Sequence, residues 1–198
     1  MRTPLSSWTG ISLTLAGLAL AAFFFAPAAA LDWQPALWPR QPWRALSAAL
    51  VHWSGQHLAA NLAGCAMLAL LGRQARLGAR CSLAWLLAWP ATQLGLLALP
   101  EPAALRHFGG LSGVLHAGVA IAALELLLRR RGRERTIGAL IGLGLALKLL
   151  LEQPLGPPLR TVPGWDIPLL PFAHLSGALA GALCALLLLG AARYHRRR

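Results

Sequence analysis

The chain has 198 residues, 57% of them hydrophobic and only 12% charged, with a mean hydropathy of +0.59. Soluble domains carry roughly twice that share of charge, and here the charges leave long apolar runs almost empty, as a bilayer requires, which excludes a soluble enzyme or a separate soluble domain. The net charge of +12 does not point to nucleic acid: 13 of the 18 basic residues sit at alternate ends of the apolar segments, which is the pattern of cytoplasmic ends, and no aromatic residues interleave with them for base stacking.

The first predicted span runs from about residue 8 to 30. Met1-Arg2 before an apolar core, and Ala26-Pro27-Ala28-Ala29-Ala30 after it, also fit a cleavable signal peptide. The apolar run is long for that purpose, and a retained helix is the favoured reading. An outer connector follows, rich in Pro35, Pro39 and Pro42 and in Trp33, Trp38 and Trp43. Proline prevents a continuous helix and tryptophan favours the membrane–water boundary, so this loop is expected to lie on the outer interface.

The second span covers about 53–71, with His52 just before it and His57 and Asn61 in its outer part. A short inner loop with Arg73, Arg76 and Arg80 leads to the third span, about 81–99, where Pro90 is expected to kink the helix. The outer loop 100–108 brings the chain to Phe108-Gly109-Gly110-Leu111-Ser112-Gly113. This stretch opens the fourth span, about 111–128, which ends in the cluster Arg129, Arg130, Arg131, Arg133 and Arg135. The fifth span, about 136–151, carries Gly138, Gly142 and Gly144. An outer loop with five prolines follows, then the sixth span, about 170–191, and a tail with Arg193, Arg196, Arg197 and Arg198. The expected fold is a single all-α membrane domain over 1–198, six helices with both termini cytoplasmic. Cys65, Cys81 and Cys184 have no CxxC spacing and read as small core residues.

A serine among glycines at the mouth of a membrane-length helix has two readings. In the first, Gly-Gly turns the chain while Ser112 caps the helix. Alternatively, glycines without Cβ let another backbone approach the hydroxyl, and unpaired N–H groups at the helix start suit a developing oxyanion. The rest of the chain favours the second. His57 and Asn61 share a face at i, i+4, as do Ser112 and His116. His174, Gly177 and Gly181 share one side of the sixth span, a small-residue face that packs closely on a neighbour and leaves space for His174 to reach Ser112. Polar groups at membrane depth face a cavity or one another.

Other hydrolytic chemistries fit less well. No His-Glu-x-x-His is present for a zinc protease, since Leu58 follows His57. Two carboxylates at one depth for an aspartyl dyad are also missing: Asp32, Glu101, Glu134 and Asp166 fall in connectors, Glu125 at an inner end and Glu152 at an outer end. A Ser-His dyad remains the favoured arrangement, with Asp166 left open as a third member. Lys148 and Glu152, at i, i+4, read as a snorkelling ion pair, with substrate docking as the sharper alternative.

These residues together resemble the rhomboid intramembrane serine proteases. The resemblance is carried by Trp43-Arg44, His52, His57-Leu-Ala-Ala-Asn61, Gly110-Leu-Ser112-Gly113 and Ala173-His174-Leu-Ser-Gly177-x-x-x-Gly181, in the family's order. It implies Ser112 as nucleophile and His174 as general base and acid. It implies His57, Asn61 and the Ser112 N–H as the oxyanion site, with His52, Gly110, Gly113, His116, Gly177 and Gly181 in support, and no metal or other cofactor. The small size and the sequence around Ser112 are most similar to the rhombosortase subfamily, which is thought to process proteins with a C-terminal Gly-Gly, transmembrane and basic-tail signal. His116 stands where many rhomboids have a tyrosine stacked on the catalytic histidine. The implied partners are a membrane-anchored protein with a C-terminal transmembrane segment and the lipid bilayer of a bacterial inner membrane. A catalytically inactive relative that binds transmembrane helices, and a small transporter using the histidines, are the alternatives.

Overall fold

The computed structural model describes residues 6–99 and 105–194; Arg2, Glu101 and Arg196 to Arg198 lie outside these. Among the described residues the chain is helical, without strands. Six long helices form the body: α1 (Ser7–Phe25), α4 (Gly55–Gln74), α5 (Ala79–Leu94), α6 (Ser112–Arg129), α7 (Gly132–Glu152) and α8 (Pro171–Tyr194). Two single turns, α2 (Ala28–Leu31) and α3 (Arg44–Ser47), lie in the first connector.

Among the described residues, four segments are long and apolar enough to cross a membrane: Ser7–Phe25, Ala79–Ala98, Ser112–Arg129 and Pro171–Leu189. α4 and α7 match them in length but carry more polar side chains, among them Gln56, His57 and Asn61 on α4 and Arg133, Arg135, Lys148 and Glu152 on α7.

α1 ends at Phe25 rather than near residue 30. Ala26 is extended, Pro27 follows, and 28–31 form a separate turn, because proline cannot continue the hydrogen-bond ladder and excludes its predecessor from the helical region. α1 belongs to the core: Trp8, Leu15 and Ala19 are fully buried. The Trp8 indole stacks on Trp85 with centroids 4.4 Å apart and donates to the Leu68 carbonyl at 2.8 Å. α5 passes through Pro90 and tightens into a 3₁₀ turn at Gly95–Ala98. α7 begins a turn earlier than expected, at Gly132, because the arginine cluster itself continues as helix.

α8 packs along α6 and α5, whereas α7 leans on α6 and hardly touches α8. Of the residues of α7 only Gly138 is buried. The α6–α8 contact is a backbone contact. A Cβ on Gly177 would sit 1.9 Å from the Gly113 carbonyl oxygen, and one on Gly181 2.4 Å from that of Ala117. Glycine is required at both places, and the pairing fixes the distance between the starts of α6 and α8. Ser176 adds a tie to α5, donating to the Thr92 carbonyl at 2.7 Å. Cys65 and Cys81 are buried free thiols and Cys184 is a half-buried one.

The first connector is bound to the chain just before Ser112. Trp33 and Phe108 exchange backbone hydrogen bonds of 2.7 and 3.0 Å. Beside them Asp32, fully buried, receives Arg44 Nη1 at 2.9 Å and meets His107 Nδ1 at 2.5 Å. Arg44 also donates to the carbonyls of Asp32 and Ala29. Asp32 and Arg44 therefore serve a local knot rather than the solvent.

Candidate active site

Ser112 is the first residue of α6, and Leu111 rather than Ser112 occupies the cap, without a side-chain cap bond. The Ser112 hydroxyl is therefore not used in ending the helix. It lies 3.0 Å from Nε2 of His174, on the first turn of α8. His174 is buried, and its Nδ1 lies 2.7 Å from Oε2 of Glu152, the last residue of α7. The other carboxylate oxygen of Glu152 is in contact with the ammonium of Lys148. An ionised carboxylate only accepts, so the contact places the imidazole proton on Nδ1 and leaves Nε2 as acceptor for the serine O–H.

His116 lies one turn below Ser112. Its ring stacks on that of His174, with centroids 4.2 Å apart and planes 11° from parallel. Its Nδ1 donates to the Ser112 carbonyl at 2.6 Å, which fixes the ring as a flat platform. The ligand atoms of His116, Glu152 and His174 lie within 4.8 Å of one another. Near-parallel rings aim their in-plane lone pairs side by side rather than at one point, so the trio suits hydrogen bonding better than tetrahedral coordination.

Gly110, with φ +141°, turns the chain into α6, and its N–H donates to the Ala48 carbonyl at 3.0 Å. The ring of His57 fills the place of a side chain there: a Cβ on Gly110 would be 2.8 Å from both Cε1 and Nε2 of His57. Gly113 is equally confined, 2.7 Å from the Ala173 carbonyl oxygen by the same measure. His57 is held through its backbone, whose N–H is capped by Ser54 Oγ at 3.0 Å, while its buried Nδ1 has no partner. Asn61 is buried and donates one amide N–H to the His57 carbonyl at 2.9 Å, leaving the second N–H of that nitrogen. His52 packs against His57 with centroids 4.8 Å apart, and its Nδ1 donates to the Leu50 carbonyl at 3.0 Å. Burial first, and then the neighbouring His57, lower the pKa of His52 to about 4, so its ring is neutral at pH 7.

The histidines and Ser112 thus converge where α4, α6 and α8 begin. The place of Asp166 agrees with the favoured dyad, whereas that of Glu152 differs from its expected role as a snorkelling ion pair. Asp166 does not approach His174; its carboxylate accepts from Ser54 Oγ at 2.8 Å and its N–H donates to Gln56 Oε1 at 3.1 Å, which ties the 153–170 loop to the start of α4. The carboxylate on His174 is that of Glu152. The sequence presents Glu152 only as the i, i+4 partner of Lys148; the signal available was a carboxylate and a histidine flanking one proline-rich loop, each at an outer helix end.

The arrangement is a hydroxyl, an imidazole and a carboxylate in line, beside buried donors, at the ends of apolar helices. It can move a proton from serine to histidine and receive negative charge on an attacked carbonyl. No curated protein matches the chain. The Rhomboid domain family matches it over residues 39–191. That range takes in every segment of the site from Arg44 to Gly181, and the chain belongs to the rhomboid family, multi-pass membrane proteins that are generally intramembrane serine proteases.

Proposed function

We propose that the protein is an intramembrane serine protease that cleaves single-span membrane proteins near the outer membrane face. The observation that carries this reading is the 3.0 Å contact between a serine hydroxyl spared from capping and the Nε2 of a buried histidine. Ser112 Oγ bonds to the scissile carbonyl carbon as its proton passes to His174 Nε2. The C–N bond then breaks as Nε2 returns that proton to the leaving amine, and an ester remains on Ser112. Water attacks the ester, giving one proton to Nε2, which passes it back to the departing Oγ. The Ser112 N–H, His57 and the free Asn61 N–H receive the oxyanion in both steps.

Ser112 begins a helix whose far end carries Arg129, which supports a reading in which the six long helices span the membrane with the termini inside and the nucleophile toward the outer face. A substrate helix has its carbonyls engaged in hydrogen bonds and must unwind before attack. Gly, Ala and Ser near a helix end unwind most readily. The thinly packed α7 is the side of approach. Together with the resemblance to rhombosortases, this favours a C-terminal transmembrane signal with Gly-Gly at its outer end and a basic inner tail, in a bacterial inner membrane.

The test is labelling with an active-site fluorophosphonate together with cleavage of a single-span reporter. The wild type is expected to label at Ser112 and to cut, and Ser112→Ala or His174→Ala to do neither while remaining folded in membranes. Cleavage by either variant at the wild-type rate refutes the reading. Absence of labelling and cleavage in the wild type favours a helix-binding relative without catalysis.

A further inference from the structure

We propose that Glu152 is the positioning residue of this site, receiving the Nδ1–H of His174 so that the ring keeps the tautomer that accepts the Ser112 proton, with Lys148 fixing the carboxylate from its other side. The inference rests on the reading of Ser112 and His174 as nucleophile and base, and it makes the arrangement a triad rather than a dyad.

The geometry is a continuous line. Lys148 Nζ meets Glu152 Oε1, Glu152 Oε2 lies 2.7 Å from His174 Nδ1, and His174 Nε2 lies 3.0 Å from Ser112 Oγ. An exposed i, i+4 ion pair would need only one carboxylate oxygen and contributes little. Here the second oxygen is spent on the histidine, and the carboxylate is shielded: the Glu152 side chain is 22% exposed and that of His174 9%. In such surroundings a carboxylate–imidazole contact is stronger than in water.

The rest of the scaffold holds residue 152 in place. α7 ends there, with Gln153 in the left-handed region at φ 51°, and Arg160 Nη1 donates to the Glu152 carbonyl at 2.5 Å. The stacked His116 blocks one face of the His174 ring, and Glu152 fixes its rotation about that face. Neither contact alone specifies both tilt and tautomer.

Lys148 makes the assignment testable in an unusual way. In Glu152→Gln the ammonium can only donate, so it selects the amide oxygen and turns the NH₂ toward Nδ1. Nδ1 must then accept, Nε2 carries the proton, and the serine has no base. Removing the ammonium as well frees the amide to flip and offer its oxygen to Nδ1–H. Activity lost by E152Q should therefore return in part in K148M/E152Q.

The full-length protein in detergent or bilayers is assayed with a single-span reporter, and ¹⁵N-histidine NMR reads the tautomer of His174. E152Q is expected to lose kcat by on the order of 10²–10⁴, with KM within about threefold of wild type, and to show the Nε2–H form. E152D, which keeps the carboxylate, recovers at least part of kcat, and K148M/E152Q exceeds E152Q by about tenfold or more. The proposal is overturned if E152Q keeps kcat within about threefold, if only KM changes, or if neither E152D nor the double variant improves on E152Q. Should E152Q fail to fold, E152D and K148M/E152Q against wild type decide alone. Ser112→Ala run alongside separates the two levels: a silent S112A with a fully active E152Q refutes only the role of Glu152, whereas an active S112A refutes the protease reading itself.

Discussion

Gly177→Ala is expected to silence the protein without removing a reactive group. The new Cβ would lie 1.9 Å from the Gly113 carbonyl oxygen, whereas a carbon–oxygen contact needs about 3.4 Å. The obstacle is backbone on a packed helix, so α6 and α8 must part by about 1.5 Å at this level. His174 lies one turn from Gly177, and Ser112 is next to Gly113. A 3.0 Å bond between Oγ and Nε2 stretched by even 1 Å leaves the range in which a proton is transferred, roughly 2.6–3.2 Å. Loss of the base then lowers kcat by on the order of 10²–10⁴, with overpacking adding about 1–3 kcal/mol of destabilisation. Gly181→Ala meets the Ala117 carbonyl oxygen at 2.4 Å and should fall between Gly177→Ala and wild type. Gly142→Ala, whose Cβ meets only Ala123 Cβ at 3.9 Å, is the control. The assay is the rate of fluorophosphonate labelling of Ser112 with thermal unfolding measured on the same samples. Gly177→Ala that is folded and labels within about threefold of wild type would refute the argument that the glycine contact sets the serine–histidine distance.

Two further outcomes are expected. His57→Ala or Asn61→Ala should lower kcat by on the order of 10²–10³, the usual effect of removing one preorganised oxyanion donor; an unchanged kcat in both single variants and the double removes α4 from the reaction. In a single-span reporter, replacing the small residues at the outer end of the span with Leu or Val should slow cleavage, and moving them one turn deeper should abolish it; equal rates in both cases would show that local unwinding does not limit attack.

The parts of the site carried by local spacing were legible in the sequence. His57 and Asn61, or Gly177 and Gly181, are i, i+4 pairs, and a helix alone suffices to put each pair on one face. The family motifs then related one helix to another. What was not legible is what depends on how a loop returns. Glu152 and His174 stand 22 residues apart across six prolines, and no periodicity reports which way that loop closes. Asp166, a plausible partner by sequence position, was drawn to Ser54 and Gln56 instead. Asp32 read as an ordinary connector charge, yet it is fully buried between Arg44 and His107, because its partners come from 12 and 75 residues away. The shortening of α1 before Pro27 follows from proline's own rules, which outweigh the continued hydropathy of 26–30.

The order of the helices along the chain has a consequence for biosynthesis. The serine is on α6, the carboxylate on the last turn of α7 and the histidine on α8, which packs against α5 and α6. On the proposed reading, a nascent polypeptide that has emerged only as far as α6 carries a hydroxyl with no base. It stays chemically inert while its own hydrophobic segments are still unpaired and most open to attack. Competence arrives only when the final helix slots into place along Gly113 and Ala117. Proteolytic power is thereby withheld until the molecule that wields it has finished being made.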